Sequence, residues 1–218
     1  MNQYSVYDKE YFETGVQSGK SGYQNYSWMP ELTIRMAHYL AKELKLDVTH
    51  KILDFGCAKG FLVKALRILD LRAYGVDVSE YAIRKSDCDV EEWLHLIKDL
   101  EDTHIFDGYS HVIAKDVLEH VPEDDIQPLL AKWAKSGSRV FIAVPIAGGD
   151  DGKFVIPQYH NDVTHITIKP KVWWENVAMA AGFNIQFSNY SFPGVKENWV
   201  RNHPMGNLFL YLYPAQNV

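Results

Sequence analysis

His160, Asp162 and His165 lie within six positions of one another and carry groups able to move a proton near neutral pH. An imidazole titrates near 6.5, and a carboxylate three residues before His165 can orient that ring as a general base. His165 serves either as this base or as a group that bonds backbone and holds its loop. His160, in Tyr159-His-Asn-Asp162, offers the same chemistry. A different chemistry is written into Lys51-Ile-Leu-Asp-Phe-Gly-Cys-Ala-Lys-Gly60. Ile52, Leu53 and Phe55 form a short apolar strand, and Gly56 and Gly60 allow tight turning and close ligand approach. A helix from Phe61 to Leu69 then begins with free amides at its N-terminus. Such a turn cradles either a dinucleotide or S-adenosylmethionine.

Spacing separates the two. A dinucleotide fingerprint needs G-x-G-x-x-G, but counting from Gly56 its positions fall on Gly56, Ala58 and Phe61. Phe61 would obstruct the close packing that the third glycine provides. The pattern Asp54-x-Gly56-Cys57-Ala58-x-Gly60 instead resembles the first motif of class I S-adenosylmethionine-dependent methyltransferases, with Ala58 in place of the commoner glycine. The segment Asp116-Val-Leu-Glu-His-Val-Pro122, after a strand from Tyr109 to Lys115, resembles the branch containing ubiquinone-biosynthesis, sugar and small-molecule enzymes. Asp162-Val-Thr-His165, a helix and Ala-Gly-Phe183 resemble a further signature of that family. Neither the Asp/Asn-Pro-Pro-Tyr/Phe run of amino-methylating nucleic acid enzymes nor the Pro-Cys pair of cytosine-C5 enzymes stands after the fourth strand.

The resemblance implies an α/β, Rossmann-like, doubly wound fold of seven strands. The sheet is mostly parallel with an antiparallel last strand, and helices cover both faces. It implies S-adenosyl-L-methionine as cofactor and S-adenosyl-L-homocysteine as product. Asp77 ends the second strand about twenty residues after the turn, where a ribose diol would lie; a helix-capping role for it is the alternative. By resemblance, Val78 would flank the adenine, Asp99 would receive its exocyclic amine and Leu100 would offer a backbone amide. Asp54, Gly56, Cys57, Ala58, Gly60 and Lys115 complete the expected cofactor set. His120 resembles the family histidine beside the acceptor pocket. Asp116, Glu119 and His120 match an acid-x-x-acid-His run that holds a divalent cation in ubiquinone-type enzymes. Here Asp replaces the usual first Glu, and most relatives with D-V-L-E-H bind none, so no metal is expected.

The remaining elements frame these groups. Tyr7, Tyr11, Phe12, Tyr23, Tyr26 and Trp28, interrupted by Gly15, Gly19 and Gly22, read either as a lid over a ligand or as an arm packed on the domain. A helix over Pro30 to Leu46 presents Leu32, Met36, Tyr39, Leu40 and Leu44 as a core-facing stripe. Strands are expected over Leu71–Asp77, Leu94–Ile97, Ser138–Pro145, Phe183–Tyr190 and Asn207–Tyr213. Ala147 to Gly152 reads as a flexible active-site loop, and the segment carrying Trp199, Arg201 and His203 as a wall of the acceptor pocket. One domain over 1–218 is expected: a lid and helix over 1–46, a cofactor core over 50–145, and acceptor-side loops and strands over 146–218.

With 218 residues, 47% of them hydrophobic, the chain can bury a substantial core. A net charge of −6 gives no basic footprint for nucleic acid. Two cysteines support no disulfide framework. Met1-Asn-Gln-Tyr lacks a signal-peptide layout and no apolar run spans a bilayer, so a cytoplasmic enzyme without membrane partners is expected. The reading is a methyltransferase acting on a small molecule, with a hydroxyl of a sugar, glycan precursor or secondary metabolite as the expected acceptor. An N-methyltransferase on an amino sugar, a non-catalytic S-adenosylmethionine-binding partner and an NAD-dependent oxidoreductase are the alternatives.

Overall fold

In the computed structural model, residues 4–149 and 151–215 are described. Met1 to Gln3, part of the leader reading, and Asp150 of the glycine-bearing loop lie outside them. Seven strands form one sheet in the order β3-β2-β1-β4-β5-β7-β6. They are β1 (Lys51–Phe55), β2 (Arg72–Asp77), β3 (Leu94–Leu96), β4 (His111–Lys115), β5 (Arg139–Pro145), β6 (Phe183–Asn189) and β7 (Asn207–Pro214). The first five run parallel, whereas β7 is antiparallel to both β5 and β6. The strand order reverses between β1 and β4, and ligands of such sheets bind beyond the strand ends at that point.

The central strands are apolar on both faces because both faces are covered. Val140, Ile142 and Val144 of β5 and Leu208, Leu210 and Leu212 of β7 pack on one side. Phe141, Ala143, Phe209 and Tyr211 pack on the other. Helix α3 (Pro30–Glu43) and α4 (Phe61–Ile68) cover this second face. The first face is covered by α6 (Glu123–Lys135) and α7 (Lys171–Ala180), with Trp133 and Trp174 fully buried. The sequence reading did not single out α6. Pro128 interrupts its pattern, although the bond it forfeits is to the carbonyl of Asp124 on the solvent side.

One expectation needs adjustment. The buried stripe of α3 is Thr33, Ala37 and Leu40, continued by Leu44, while Leu32 is 53% exposed. Spacings of four, three and four residues follow the helical period better than the larger side chains do. Pro170, whose residue type suits a first helical turn, stands just before α7 as its cap, while Gly182, suited to a C-terminal cap, ends the helix at φ +93°. Short helices α1 (Lys9–Glu13), α2 (Gly15–Ser18), α5 (Glu80–Arg84) and α8 (Glu197–Asn202) complete the elements. No helix among the described residues is long and apolar enough to cross a membrane.

Gly75 lets β2 approach the turn after β1. A Cβ there would lie 2.7 Å from both Cβ and Sγ of Cys57 and 2.9 Å from Leu94. Gly75→Ala is therefore expected to cost about 1–3 kcal/mol by overpacking, measured as a lower melting temperature. An unchanged melting temperature would contradict this close approach.

Candidate active site

The turn after β1 is held by backbone. Gly56 and Cys57 both donate to the carbonyl of Val76, at 2.9 and 3.0 Å. Gly56 adopts φ +78°, and a Cβ on it would lie 2.4 Å from Val117. Ala58 is left-handed at φ +49° without being glycine. Its amide donates 2.7 Å to Asp77 Oδ2, while Ser79 N donates 2.7 Å to Oδ1. Asp77 thus joins the first turn to the start of α5. Burial raises its carboxyl above the ordinary value despite these bonds. Oxygens that each accept one backbone bond retain lone pairs for further donors.

Beyond this turn lies a cleft with apolar walls from Phe55, Val76, Val78, Ile97, Leu100 and Val117, and with Asp77 on its rim. Tyr7, Tyr11, Phe12 and Tyr23 of the N-terminal arm close its other side. The arm is pinned by polar bonds. Lys59 Nζ donates 2.6 Å to Glu13 and 2.7 Å to the Tyr26 carbonyl, and Ser79 Oγ donates 2.6 Å to the Tyr7 carbonyl. Packing and covering are therefore one arrangement, with Tyr23 and Tyr26 in edge contact at 4.8 Å. Slot, carboxylate and aromatic cover suit a nucleoside: apolar walls for a base and an acceptor for ribose hydroxyls.

A second recess shares Tyr11, Tyr23, Asp116 and His120 with this cleft and adds Glu119, Tyr159, Asp162, His165 and Trp199. It exists because a 3-10 turn over Leu118–His120 is bonded to a distant loop. Ile166 N and Thr167 N donate 2.9 and 3.0 Å to the Glu119 carbonyl, and Thr167 Oγ1 donates 2.6 Å to that of Val121. Thr164 then sets the histidine chemistry. Its hydroxyl proton goes to Asp162 Oδ1 at 2.5 Å, so the 2.8 Å contact with His120 Nδ1 requires that nitrogen to donate. Nδ1 of His165 likewise donates 2.6 Å to the Tyr159 carbonyl. Both rings therefore carry their lone pair on Nε2. Burial holds His120 down to about 4, so that ring is neutral at pH 7, and burial lowers His165 as well.

The carboxylates of the recess differ. Asp116, left-handed at φ +53°, is paired with Lys115 Nζ at 2.5 Å and with Lys196 Nζ. Burial pushes its carboxyl up, but the two lysines hold it below the ordinary carboxylate range. That pairing does not fit the acid-x-x-acid-His cation set, whose first acid must be free to ligate. Glu119 is 1% exposed, and burial followed by repulsion from Asp116 pushes it up to about 8. Asp162 accepts from Tyr11 Oη at 2.8 Å and from Thr164.

Of the residues expected from the sequence, Gly56, Ala58, Asp77, Val78, Leu100, Tyr7, Tyr11 and Tyr23 line the cleft. His120 lines both spaces, and Asp162 and His165 line the recess. Several others stand elsewhere. Asp99 is exposed, accepts from Glu101 N at 2.9 Å and lines a neighbouring recess with Tyr4 and Leu100. His160 is exposed and accepts from Phe154 N through Nε2 at 3.1 Å, a loop-holding arrangement. Ala147 and Gly148 face a separate recess with Val155 and Tyr190, so the glycine-bearing loop does not wall this site there. Cys57 and Gly60 shape the turn from behind, packed toward Gly75 and Leu94. Thr164 and Lys196 were not read as functional. Thr164 lies inside the quoted D-x-T-H run, whereas nothing local marks Lys196, which reaches Asp116, Tyr159 and Asn207 only in the folded chain.

Comparison with known proteins bears on the family and the fold. A family model described as a methyltransferase domain matches residues 27–186. No curated protein matches the sequence. A Haloferax volcanii complex between the Trm112 methyltransferase activator and a methyltransferase shares 14% identity, with 87% of this chain and 92% of that chain covered and a TM-score of 0.65. An S-adenosylmethionine-dependent methyltransferase from Archaeoglobus fulgidus shares 13% identity, covering 84% and 96%, with a TM-score of 0.62. The Burkholderia thailandensis 1,6-didemethyltoxoflavin-N1-methyltransferase, solved with that compound and S-adenosylhomocysteine, shares 15% identity, covering 85% and 80%, with a TM-score of 0.60. Fold and cleft define a class I S-adenosylmethionine-dependent methyltransferase. The chain belongs to the methyltransferase-domain family.

Two outcomes test the turn. Ala58→Gly removes a left-handed alanine and is expected to stabilise the protein by about 0.5–1 kcal/mol, strain relief exceeding the added unfolded-state entropy. Equal or lower stability in denaturant titration would contradict it. Asp54 is 5% exposed, and burial raises its carboxyl to about 7 against the pull of Lys115. A raised folded-state value means stability present below the ordinary value of 3.8 and lost as pH rises through about 7. Asp54→Asn removes that loss, so its melting temperature relative to wild type should climb across this window and level off above it. A pH-independent difference would mean that Asp54 titrates alike in the folded and unfolded chain.

Proposed function

We propose that this chain transfers the methyl group of S-adenosylmethionine to a hydroxyl of a small polar acceptor such as a sugar, a glycan precursor or a secondary metabolite. The observation that carries this reading is His120, which lines both cleft and recess with an unprotonated Nε2 held in place by Thr164. Bound cofactor supplies an electrophilic methyl carbon on a sulfonium. Asp77 accepts the ribose hydroxyls, and Val78 and Leu100 border the adenine. Tyr7, Tyr11 and Tyr23 exclude water from the reacting centre. Trp199 and Tyr159, stacked at 5.6 Å, offer an aromatic wall to an acceptor ring, with Asp162, Asn161 and Gln158 as polar neighbours. Nε2 of His120 or His165 receives the hydroxyl proton as the oxygen attacks. Alignment of oxygen, methyl and sulfur supplies about 7–11 kcal/mol in favourable cases.

A second reading, methylation of an amine, draws support from Asp162 on the wall of the recess, which suits an amine-bearing acceptor. Labelled S-adenosylmethionine with a panel of hydroxylated and amino sugars and phenolic metabolites separates the two. The expected result is label on oxygen, with His120→Ala lowering kcat by about 100-fold or more while S-adenosylhomocysteine binding stays within a few fold. Asp77→Ala should instead weaken S-adenosylhomocysteine binding more than tenfold. Label on nitrogen alone would replace the hydroxyl reading, and full activity of the His120 variant would remove that residue from catalysis.

A further inference from the structure

Glu119 is the least satisfied polar side chain of the recess. It is 1% exposed, and neither carboxylate oxygen has a hydrogen-bond partner among the described residues. A buried carboxyl with no partner for either oxygen is rare in folded proteins and points to a ligand. Facing it are the two imidazoles described above. His165 Nε2 lies 4.0 Å from Glu119 Oε1, too far for a hydrogen bond. The His120 and His165 rings are 4.7 Å apart. One potential ligand atom from each of Glu119, His120 and His165 lies within 4.8 Å of the others.

Ring orientation adds an independent observation. Each imidazole spends Nδ1–H on backbone, His120 on the Thr164 carbonyl at 3.2 Å together with Thr164 Oγ1, and His165 on the Tyr159 carbonyl. Donation of the second ring nitrogen to a carbonyl is how metal-bound histidines are held, because it fixes the tautomer and raises the basicity of the ligating nitrogen. We propose that Glu119, His120 and His165 form a site for a divalent first-row transition cation on the floor of the acceptor recess.

The set differs from the one expected from sequence. Asp116 is withheld by Lys115 and Lys196, and the third ligand comes from a loop 45 positions after His120. Two imidazoles and one carboxylate suit zinc or iron(II) better than the all-oxygen preference of magnesium or calcium. Ligand atoms of a tetrahedral ion at 2.0–2.2 Å stand roughly 3.4 Å apart, so closure by about 1 Å completes the shell. Asp116 partly balances the positive charge that Lys196 brings nearby. Three protein ligands leave positions open on a recess that all three residues line. Those positions suit an acceptor bearing two adjacent oxygens, such as a vicinal diol or catechol; this extension to substrate rests on the methyl-transfer reading. With the cation bound, the ion would orient and acidify the hydroxyl, whose proton would pass to solvent at the open recess; without it, the imidazoles take that proton.

The test is binding of Zn2+ to chelator-treated full-length protein by competition with a chromophoric chelator, with Co2+ absorption as a second probe of coordination. S-adenosylhomocysteine affinity of every variant, measured in parallel, reports whether the cleft is intact. The expected result is one equivalent of Zn2+, weakened at least 100-fold by Glu119→Gln and by His165→Ala, with S-adenosylhomocysteine binding retained. Glu119→Gln keeps size and shape and carries the test should His165→Ala fold poorly. Absence of tight Zn2+ binding, or binding unchanged in Glu119→Gln, would overturn the site. So would an equivalent lost only in Cys88→Ser, which would place the ion at the exposed Asp87-Cys88-Asp89 cluster. Failure of S-adenosylhomocysteine to bind wild type would count against the methyltransferase reading and leave the Zn2+ result to stand by itself.

Discussion

The arrangement of the catalytic end depends on the bonds that tie the turn after β4 to the loop before α7. The Glu119 carbonyl accepts from both Ile166 and Thr167, and the Val121 carbonyl accepts the Thr167 hydroxyl. These bonds satisfy backbone that would otherwise be buried without partners. They also bring Asp162, Thr164 and His165 against Glu119 and His120. Thr164 then does two things with one hydroxyl. It gives its proton to Asp162 and accepts one from His120, which leaves no freedom in the tautomer of that ring.

Electrostatics sort the buried carboxylates. Asp116 has two lysines and stays ionised, whereas Glu119, a few residues away, has none in contact and is driven toward its neutral form. The left-handed backbone at Asp116 and at Lys196 is retained where their side chains meet, the kind of place at which local strain is tolerated when neighbouring contacts over-determine it. The cleft and the neighbouring recess thus share a wall but not a character. The former is mostly apolar, with Asp77 beside the turn and Asp116 and His120 on the shared wall, and the latter adds further acids, a second imidazole and an aromatic pair.

Much of the fold was legible because its signals are local. Short apolar runs ending in Asp54, Asp77 and Lys115 mark strands, and each lies within a residue or two of the observed element. Gly56 and Gly60 were readable because their left-handed backbone permits few other residues. Local pattern failed where neighbours decide. Leu32 is apolar yet exposed, while Thr33 faces the core, since the direction of a helix stripe is set by the sheet it lands on. Asp99 and His160 stand at suggestive positions, but their side chains are engaged with nearby backbone.

By itself, the sequence determined the strand–turn–helix cradle, the acid at the end of the second strand and the cofactor class. The cradle and the acid follow from steric rules acting over a few residues and from spacing along one chain, and the cofactor class from the resemblance of those motifs to a known family. Only the tertiary structure decided which acids are paired, which histidine nitrogens are free and which side chains share a space. Lys196 reaches Asp116 across 80 positions and His165 reaches Glu119 across 46. Burial and charge pairing depend on everything packed around a group, and no spacing rule along the chain encodes that.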